Sequence, residues 1–503
     1  MIMPSQYISN VTKDYIDKKD LLEKNYSDLL KKKNIWVDNS TDPYERLGWI
    51  DSSKNINETL LASKKVLKNL VSKKPSDIVF IGMGGSIQTG KAISQIFGPK
   101  KGIDLYFIDT TNPLTIDKIA NKININSTYY IVMSKSGGTL ETECIRDFFI
   151  NLLKNKKIED FGKYFISLTD KGTSLESFSK DNNFAANLTT PSTIGGRFSS
   201  STYYGIIPSL LTNIKEKQIE ESFSSHYDEH TKQSAIKLAH FINNSSDINN
   251  HFKIVIPKEL SEFGTWIEQL LAESSGKNGK GIIPVLIESN NNINNESSCI
   301  VNISNSKIDT LSSNFYINLN RGFIFRDMMI WKLAVSICCK YIDVFPFDEP
   351  DVKISKVNTQ AIINNETSLN KINLPENSSN FLEIINNNIE KDIIFINSFL
   401  PEEEPYKKYI KDLKEIASKS NNQIIITGYG PRYLHSTGQL QKGGPRNICI
   451  IYVYLDLNEQ FRNKTLYREL ADTFKAQILG DFTANLETLD SVYFFSIENK
   501  LFI

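Results

Sequence analysis

The sequence has no surplus of either charge: across 503 residues, 58 Lys and Arg balance 58 Asp and Glu. A basic stripe is the usual footprint of a nucleic-acid binder. Nucleic acid is therefore not expected as the main partner, although a local cationic pocket for a small anion stays open. Cysteine is scarce and odd in number, with Cys144, Cys299, Cys338, Cys339 and Cys449. No CxxC pair or Cys/His cluster has metal-ligand spacing. Reduced thiols are the simplest reading, and neither a metal nor a disulfide framework is expected. Long apolar runs are missing too. The most apolar helical stretch, 328–342, is broken by Lys332 and Lys340. It falls short of the ~20 apolar residues that cross a bilayer, so it reads as a buried helix. The first twenty residues hold no apolar core of signal-peptide length. Together these absences imply a cytoplasmic globular protein with no membrane partner. With 40% hydrophobic and 23% charged residues the composition is ordinary for that class. At ~100–200 residues per domain, two or three domains are expected.

What is present is a repeating pattern. Residues 1–72 show apolar residues at helical spacing among many Lys and Asp. From residue 73 the character changes to short apolar runs, each followed by an amphipathic stretch: DIVFIG (77–82), LYFIDT (105–110), YYIVMS (129–134) and YFISLT (164–169). A second series begins with FKIVIP (252–257) and continues through CIVNIS (299–304), DIIFIN (392–397), QIIIT (423–427) and ICIIYVYL (448–455). Apolar runs alternating with amphipathic helices predict βαβ units and parallel sheets. The expected organisation is an α/β protein: a helical segment 1–72, one α/β domain at 73–245, a second at 246–460, and a helical tail at 461–503. Asn/Ser-rich stretches at 243–250, 290–298 and 364–380 read as surface loops.

Two glycine-rich turns connect a strand to a helix: Gly82-Met83-Gly84-Gly85-Ser86 and Ser134-Lys135-Ser136-Gly137-Gly138-Thr139. Such turns leave backbone N–H groups free at a helix N-terminus, where the helix dipole also favours an anion. The second turn adds three hydroxyls and an ammonium, a chemical match to a phosphate monoester. The first turn lacks a complete GxGxxG, and neither turn is GxxxxGK[ST], so a nucleotide-dependent enzyme is disfavoured.

Four segments carry a resemblance. SKSGGTLET (134–142) resembles the phosphate loop of sugar isomerase (SIS) domains. STIGGRFS (192–199) resembles a signature of the glucose-6-phosphate isomerase family. WIEQLLAESSGKNGKG (266–281) resembles that family's base-bearing helix, and HSTGQ (435–439) its histidine motif. The surrounding text, 428–445, is especially similar to isomerase domains found fused to transaldolases. The resemblance spans roughly residues 45–480. It implies two SIS domains, each a mainly parallel sheet flanked by helices, and reversible isomerisation of glucose 6-phosphate and fructose 6-phosphate through a cis-enediol. It places the reaction in glycolysis and gluconeogenesis and calls for no cofactor.

The resemblance also implies roles. Glu273 would be the base that moves the proton, and Arg197 the cation facing the enediolate, a group charged at any working pH. His435 would serve ring opening, since an imidazole titrates near neutrality. In the family this histidine comes from the neighbouring subunit of a dimer, so a homodimer with a shared active site is expected. FDEPDVKISK (347–356) resembles a motif that supplies a lysine, giving Lys356, with Lys475 as the competing candidate. In that motif Glu349 stands where the family usually has Gln. Ser134, Lys135, Ser136 and Thr139, with Gly85 and Ser86, are expected at the phosphate. Gln269 lies one helical turn before Glu273, on the same face, and is expected at the substrate. Two other readings stay open: a non-catalytic sugar-phosphate-binding regulator, and an isomerase acting on both glucose and mannose 6-phosphate.

Overall fold

The structure is a computed structural model and describes residues 4–9, 12–36, 45–246, 251–288, 298–302, 315–364, 381–420 and 423–497. Most of the three Asn/Ser-rich stretches lies outside the described residues. The start of the first, through Ser246, ends the helix Glu229–Ser246.

The N-terminal segment is mostly helical, with helices Lys13–Leu30 and Ile56–Val71. It also contains a short strand, β1 (Gln6–Ile8), which the sequence pattern does not reveal. The next five strands are β2 (Asp77–Gly82), β3 (Asp104–Ile108), β4 (Thr128–Ser134), β5 (Phe165–Asp170) and β6 (Ala186–Thr190). They form one parallel sheet in the order β3-β2-β4-β5-β6. Strands β2, β4 and β5 are buried along their whole length, which explains why they read as unbroken apolar runs rather than alternating ones.

The second series is carried by two sheets rather than one. Strands β7 (His251–Ile256), β8 (Ile283–Glu288), β9 (Cys299–Asn302) and β10 (Phe315–Asn318) run parallel, and β1 closes the edge antiparallel to β10. Strand β8 forms the opposite edge and contains Pro284. A proline has no N–H to give a further strand and is confined to sheet edges, so the ladder stops there. Strands β11 (Ile393–Phe399), β12 (Ile424–Tyr429), β13 (Ile448–Leu455) and β14 (Val492–Ile497) make a separate parallel sheet in the order β12-β11-β13-β14. The C-terminal tail is therefore not helical throughout. Its helix Arg468–Leu486 leads into β14, whose register along β13 runs from Ile450–Val492 to Leu455–Ile497.

The helix Ile324–Tyr341 is buried from Ile324 to Cys339, as its apolar composition predicts. No helix among the described residues is long and apolar enough to cross a membrane. Within the first sheet the chain passes from β2 to β3 on one side and then to β4 on the other. The carboxyl ends of β2 and β4 thus flank a topological switch point, where open α/β sheets form a crevice. Both glycine-rich turns leave the sheet at this point.

Candidate active site

The second glycine-rich turn opens the helix Leu140–Asn155. Thr139 precedes that helix but does not cap it with its side chain. Instead Thr139 Oγ1 lies 2.9 Å from Ser134 Oγ and 3.2 Å from Ser136 Oγ. Three hydroxyls thus cluster at a helix N-terminus whose first amides carry partial positive charge. Ser136, Gly138 and Thr139 line a cleft of about 190 Å³, together with Glu141, Ser355, Lys356, His435 and Gln477. The Lys135 ammonium does not reach this cleft. It pairs with the Asp170 carboxylate, lies 3.3 Å from Thr190 Oγ1 and sits over the Tyr204 ring. Burial lowers the Lys135 ammonium below its usual value against the opposing pull of Asp170. Only its backbone remains near the cradle.

The first turn has a packing task. Gly84 adopts φ +52°, and a Cβ there would come within 2.9 Å of both the Cβ and the carbonyl oxygen of His435. A Cβ on Gly85 would lie 2.2 Å from the Gly196 carbonyl carbon and 2.3 Å from the Arg197 amide. Neither contact is tolerable, so the two glycines let the turn wedge between the segments that carry His435 and Arg197. Gly85 and Ser86 do not line the cleft.

Arg197 lies in the 3₁₀ turn Gly196–Ser201 and is buried. Its Nε donates to Ser274 Oγ at 3.0 Å, and Nη2 donates to the carbonyls of Pro346 at 2.6 Å and Asp348 at 3.0 Å. Its Nη1 lies 3.2 Å from Glu273 Oε1 and 3.2 Å from Glu349 Oε2. Glu273 extends from the last turns of the helix Ser261–Ser275. Its other oxygen accepts from Gln269 Nε2 at 2.9 Å, and Gln269 also donates to the His435 carbonyl at 2.8 Å. Burial pushes the Glu273 carboxyl above its ordinary value; Arg197 pulls it down without cancelling the shift, and Glu349 adds to the rise. Burial raises the Glu349 carboxyl, but Arg197, together with Lys356 and Arg46, holds it below the ordinary value.

His435 ends the turn Arg432–His435. Its Nε2 lies 2.9 Å from Glu141 Oε1. Glu141 also accepts from Gln477 Nε2 at 2.7 Å, and Gln477 accepts from Thr111 Oγ1 at 2.6 Å. Burial raises the Glu141 carboxyl, but His435, with help from a backbone hydrogen bond and Lys356, holds it below its usual value. An ionised carboxylate at Nε2 leaves Nδ1 as the nitrogen able to exchange a proton. A single chain brings His435 to this position. His435 packs there on Gly84 of the first glycine-rich turn.

The two lysines part company. Lys356 lines the cleft and acts electrostatically on both Glu141 and Glu349. Lys475 lies off the cleft, with its ammonium 3.8 Å from Asp456. Asp481 ties the region together: it accepts from Ser355 Oγ at 2.7 Å, Tyr433 Oη at 2.6 Å and Tyr452 Oη at 2.5 Å, and pairs with Lys442. Ser355 adjoins Lys356 and Tyr433 precedes His435 by two residues, so one buried carboxylate fixes both elements. Sequence reasoning assigned no role to Glu141, Gln477 or Asp481. Glu141 was discoverable, since it falls within the 134–142 motif. Nothing local marks Gln477 or Asp481.

Among the described residues no group of three or more His, Cys, Asp or Glu is arranged to hold a metal ion. The cluster offers a carboxylate base beside a fixed guanidinium, an imidazole with an ionised partner, an ammonium and a hydroxyl cradle. That is a set suited to moving protons on a phosphorylated polyol.

Comparison with known proteins gives the same direction. The phosphoglucose isomerase family profile matches residues 31–303. A probable glucose-6-phosphate isomerase of Methanococcus maripaludis is 33% identical over 234 residues, covering 43% of this chain and 52% of the relative. A glucose-6-phosphate isomerase of Methanocaldococcus jannaschii is 27% identical over 304 residues, covering 59% of this chain and 73% of the relative. One from Campylobacter jejuni is matched over 56% of its length, so the chain spans only about half of several of these relatives. Among solved structures, a hypothetical protein from Thermus thermophilus superposes with a TM-score of 0.61 at 19% identity, over 70% of this chain and 96% of that one. A glucose-6-phosphate isomerase from Chlamydia trachomatis gives a TM-score of 0.57 at 14% identity, over 74% and 89%. At those identities the likeness speaks for the fold.

Proposed function

The chain belongs to the phosphoglucose isomerase family, and on that premise we propose that it interconverts glucose 6-phosphate and fructose 6-phosphate. The observation that carries the reading is that Glu273 and Arg197 are tied, through Gln269 and Glu349, to His435 and Lys356, which line the cleft with the hydroxyl cradle. These residues come from four separate stretches of sequence.

The phosphate is taken by Ser134, Ser136 and Thr139 and by the N-terminus of the helix Leu140–Asn155. His435 and Lys356 exchange the ring-oxygen and hydroxyl protons that open the sugar. Glu273 then removes the C2 proton of the aldose. The C–H electron pair becomes a C1–C2 double bond, and the C1 carbonyl pair moves onto oxygen. Arg197 faces that oxyanion with a charge that needs no proton of its own. The C2 hydroxyl proton passes to the C1 oxyanion, Glu273 returns the carbon-bound proton to C1, and the C2 oxygen is left as the ketose carbonyl. Gln269 holds Glu273 and the His435 backbone in one frame. We also place the protein in the cytoplasm, in glycolysis and gluconeogenesis, and expect it to work as a homodimer; light scattering at working concentration tests the dimer.

The direct test of function is conversion of fructose 6-phosphate, followed by a dehydrogenase specific for glucose 6-phosphate. The expected result is turnover without added metal or cofactor. Binding of the sugar phosphate without turnover would support a regulator instead.

A further inference from the structure

The guanidinium of Arg197 has five N–H donors, and four of them are hydrogen-bonded: Nε to Ser274, Nη2 to the carbonyls of Pro346 and Asp348, and Nη1 to Glu349. Nη1 also pairs with Glu273 at 3.2 Å. A reacting oxyanion that approaches Nη1 therefore meets two carboxylates already resting on it. The two differ in how firmly they are held. The Glu273 side chain is 13% exposed, while that of Glu349 is 44% exposed. The Glu273 carboxylate also accepts from Gln269, whereas Glu349 accepts from Arg197. Glu349 is the carboxylate that can move.

We propose that Glu349 determines specificity in this site by resting on the Arg197 donor and selecting against ligands that arrive already charged at the C1–C2 end. The inference rests on the isomerase reading above. Its logic is a charge count. At rest, one guanidinium faces two carboxylates. When the enediolate forms, the carbon-bound proton passes to Glu273, so one carboxylate is neutralised as one oxyanion appears. The charge around Arg197 is unchanged, and Glu349 does not oppose the reaction. A ligand with a permanent carboxylate at the same end brings a third negative charge, because no proton reaches Glu273. Lys356 and Arg46 also act on Glu349, and His435 acts on Glu273. These cations are present for every ligand and do not discriminate between them.

The test compares two probes by calorimetry. One is a five-carbon aldonic acid 5-phosphate, which carries a permanent carboxylate. The other is a hexitol 6-phosphate, which is neutral at that end. Like charges within about 6 Å in a partly hydrated cleft repel enough to change binding about tenfold. Glu349→Gln is expected to bind the aldonate about tenfold tighter while the hexitol shifts less than about twofold. Glu349→Ala, which removes the charge without supplying an amide, should reproduce that ratio. An unchanged aldonate affinity, or equal tightening of both probes, overturns the proposal. A wild-type protein that binds neither probe would remove the isomerase reading itself, and this inference with it.

Discussion

Replacing Glu273 with glutamine isolates the proposed base with little change in shape. One carboxylate oxygen accepts from Gln269, and the other forms an ion pair with Arg197. An amide can satisfy only one of the two, so one donor is orphaned at a cost of about 1–2 kcal/mol. Arg197 keeps Glu349, and burial already disfavours a charge at Glu273, so the net effect on folding should stay within about 2 kcal/mol. The effect on chemistry is larger. Losing a general base costs ~10²–10⁴-fold, or about 2.7–5.5 kcal/mol on the barrier. The pH profile sharpens the assignment. Because burial and Glu349 raise the Glu273 carboxyl, with Arg197 and His435 opposing, wild-type kcat/KM should fall through an apparent value above the ordinary 4.5 as pH drops. That limb should vanish in the variant. Proton NMR in D₂O, following deuterium entry at C2, reads the chemical step directly. Exchange by Glu273→Gln within about twofold of wild type, in a protein that still melts cooperatively, would refute the reasoning.

Two further outcomes follow from the site and its support. Lys356→Met should reduce kcat at least tenfold on the general acid–base scale, whereas Lys475→Met, directed at Asp456, should leave steady-state kinetics within about twofold; the reverse ranking would reassign the lysine. Lys332 is fully buried below the Arg197 turn, 3.4 Å from the Phe198 carbonyl and 3.2 Å from Ser201 Oγ, and burial lowers its ammonium from 10.5 to about 7. The unfolded chain holds this proton between about 7 and 10.5 and the folded chain does not, so this group makes stability rise with pH across that window. His226 is the neighbouring titratable group, lowered by burial and by Lys332. Lys332→Met should raise stability near pH 7 by about 1–4 kcal/mol and flatten that rise, while lowering kcat through a looser Arg197 turn; urea titrations at pH 7 and pH 9 check it, and identical pH dependence in both proteins contradicts it.

Short-range chemistry is what the sequence by itself determined. The apolar runs at β2, β4 and β5 announce a buried parallel sheet because residues covered on both faces need no alternation. The glycine-rich turns are equally plain, since a tight strand-to-helix connection leaves few residue choices. Glu273, Arg197 and His435 stand in local motifs, which is why a reading of the sequence singles them out. The tertiary structure alone decided the rest. β1 is a three-residue strand completed by β10 far along the chain, and β14 joins β13 only once the intervening helix Arg468–Leu486 has brought it back. The partner of His435 lies 294 residues away at Glu141, and only packing brings Lys356 to the cleft and Lys475 towards Asp456. That Glu349 and Glu273 share one nitrogen of Arg197 is likewise a fact of packing. Opposing charges act at ångström separations, and the fold sets those separations between residues that the sequence keeps apart.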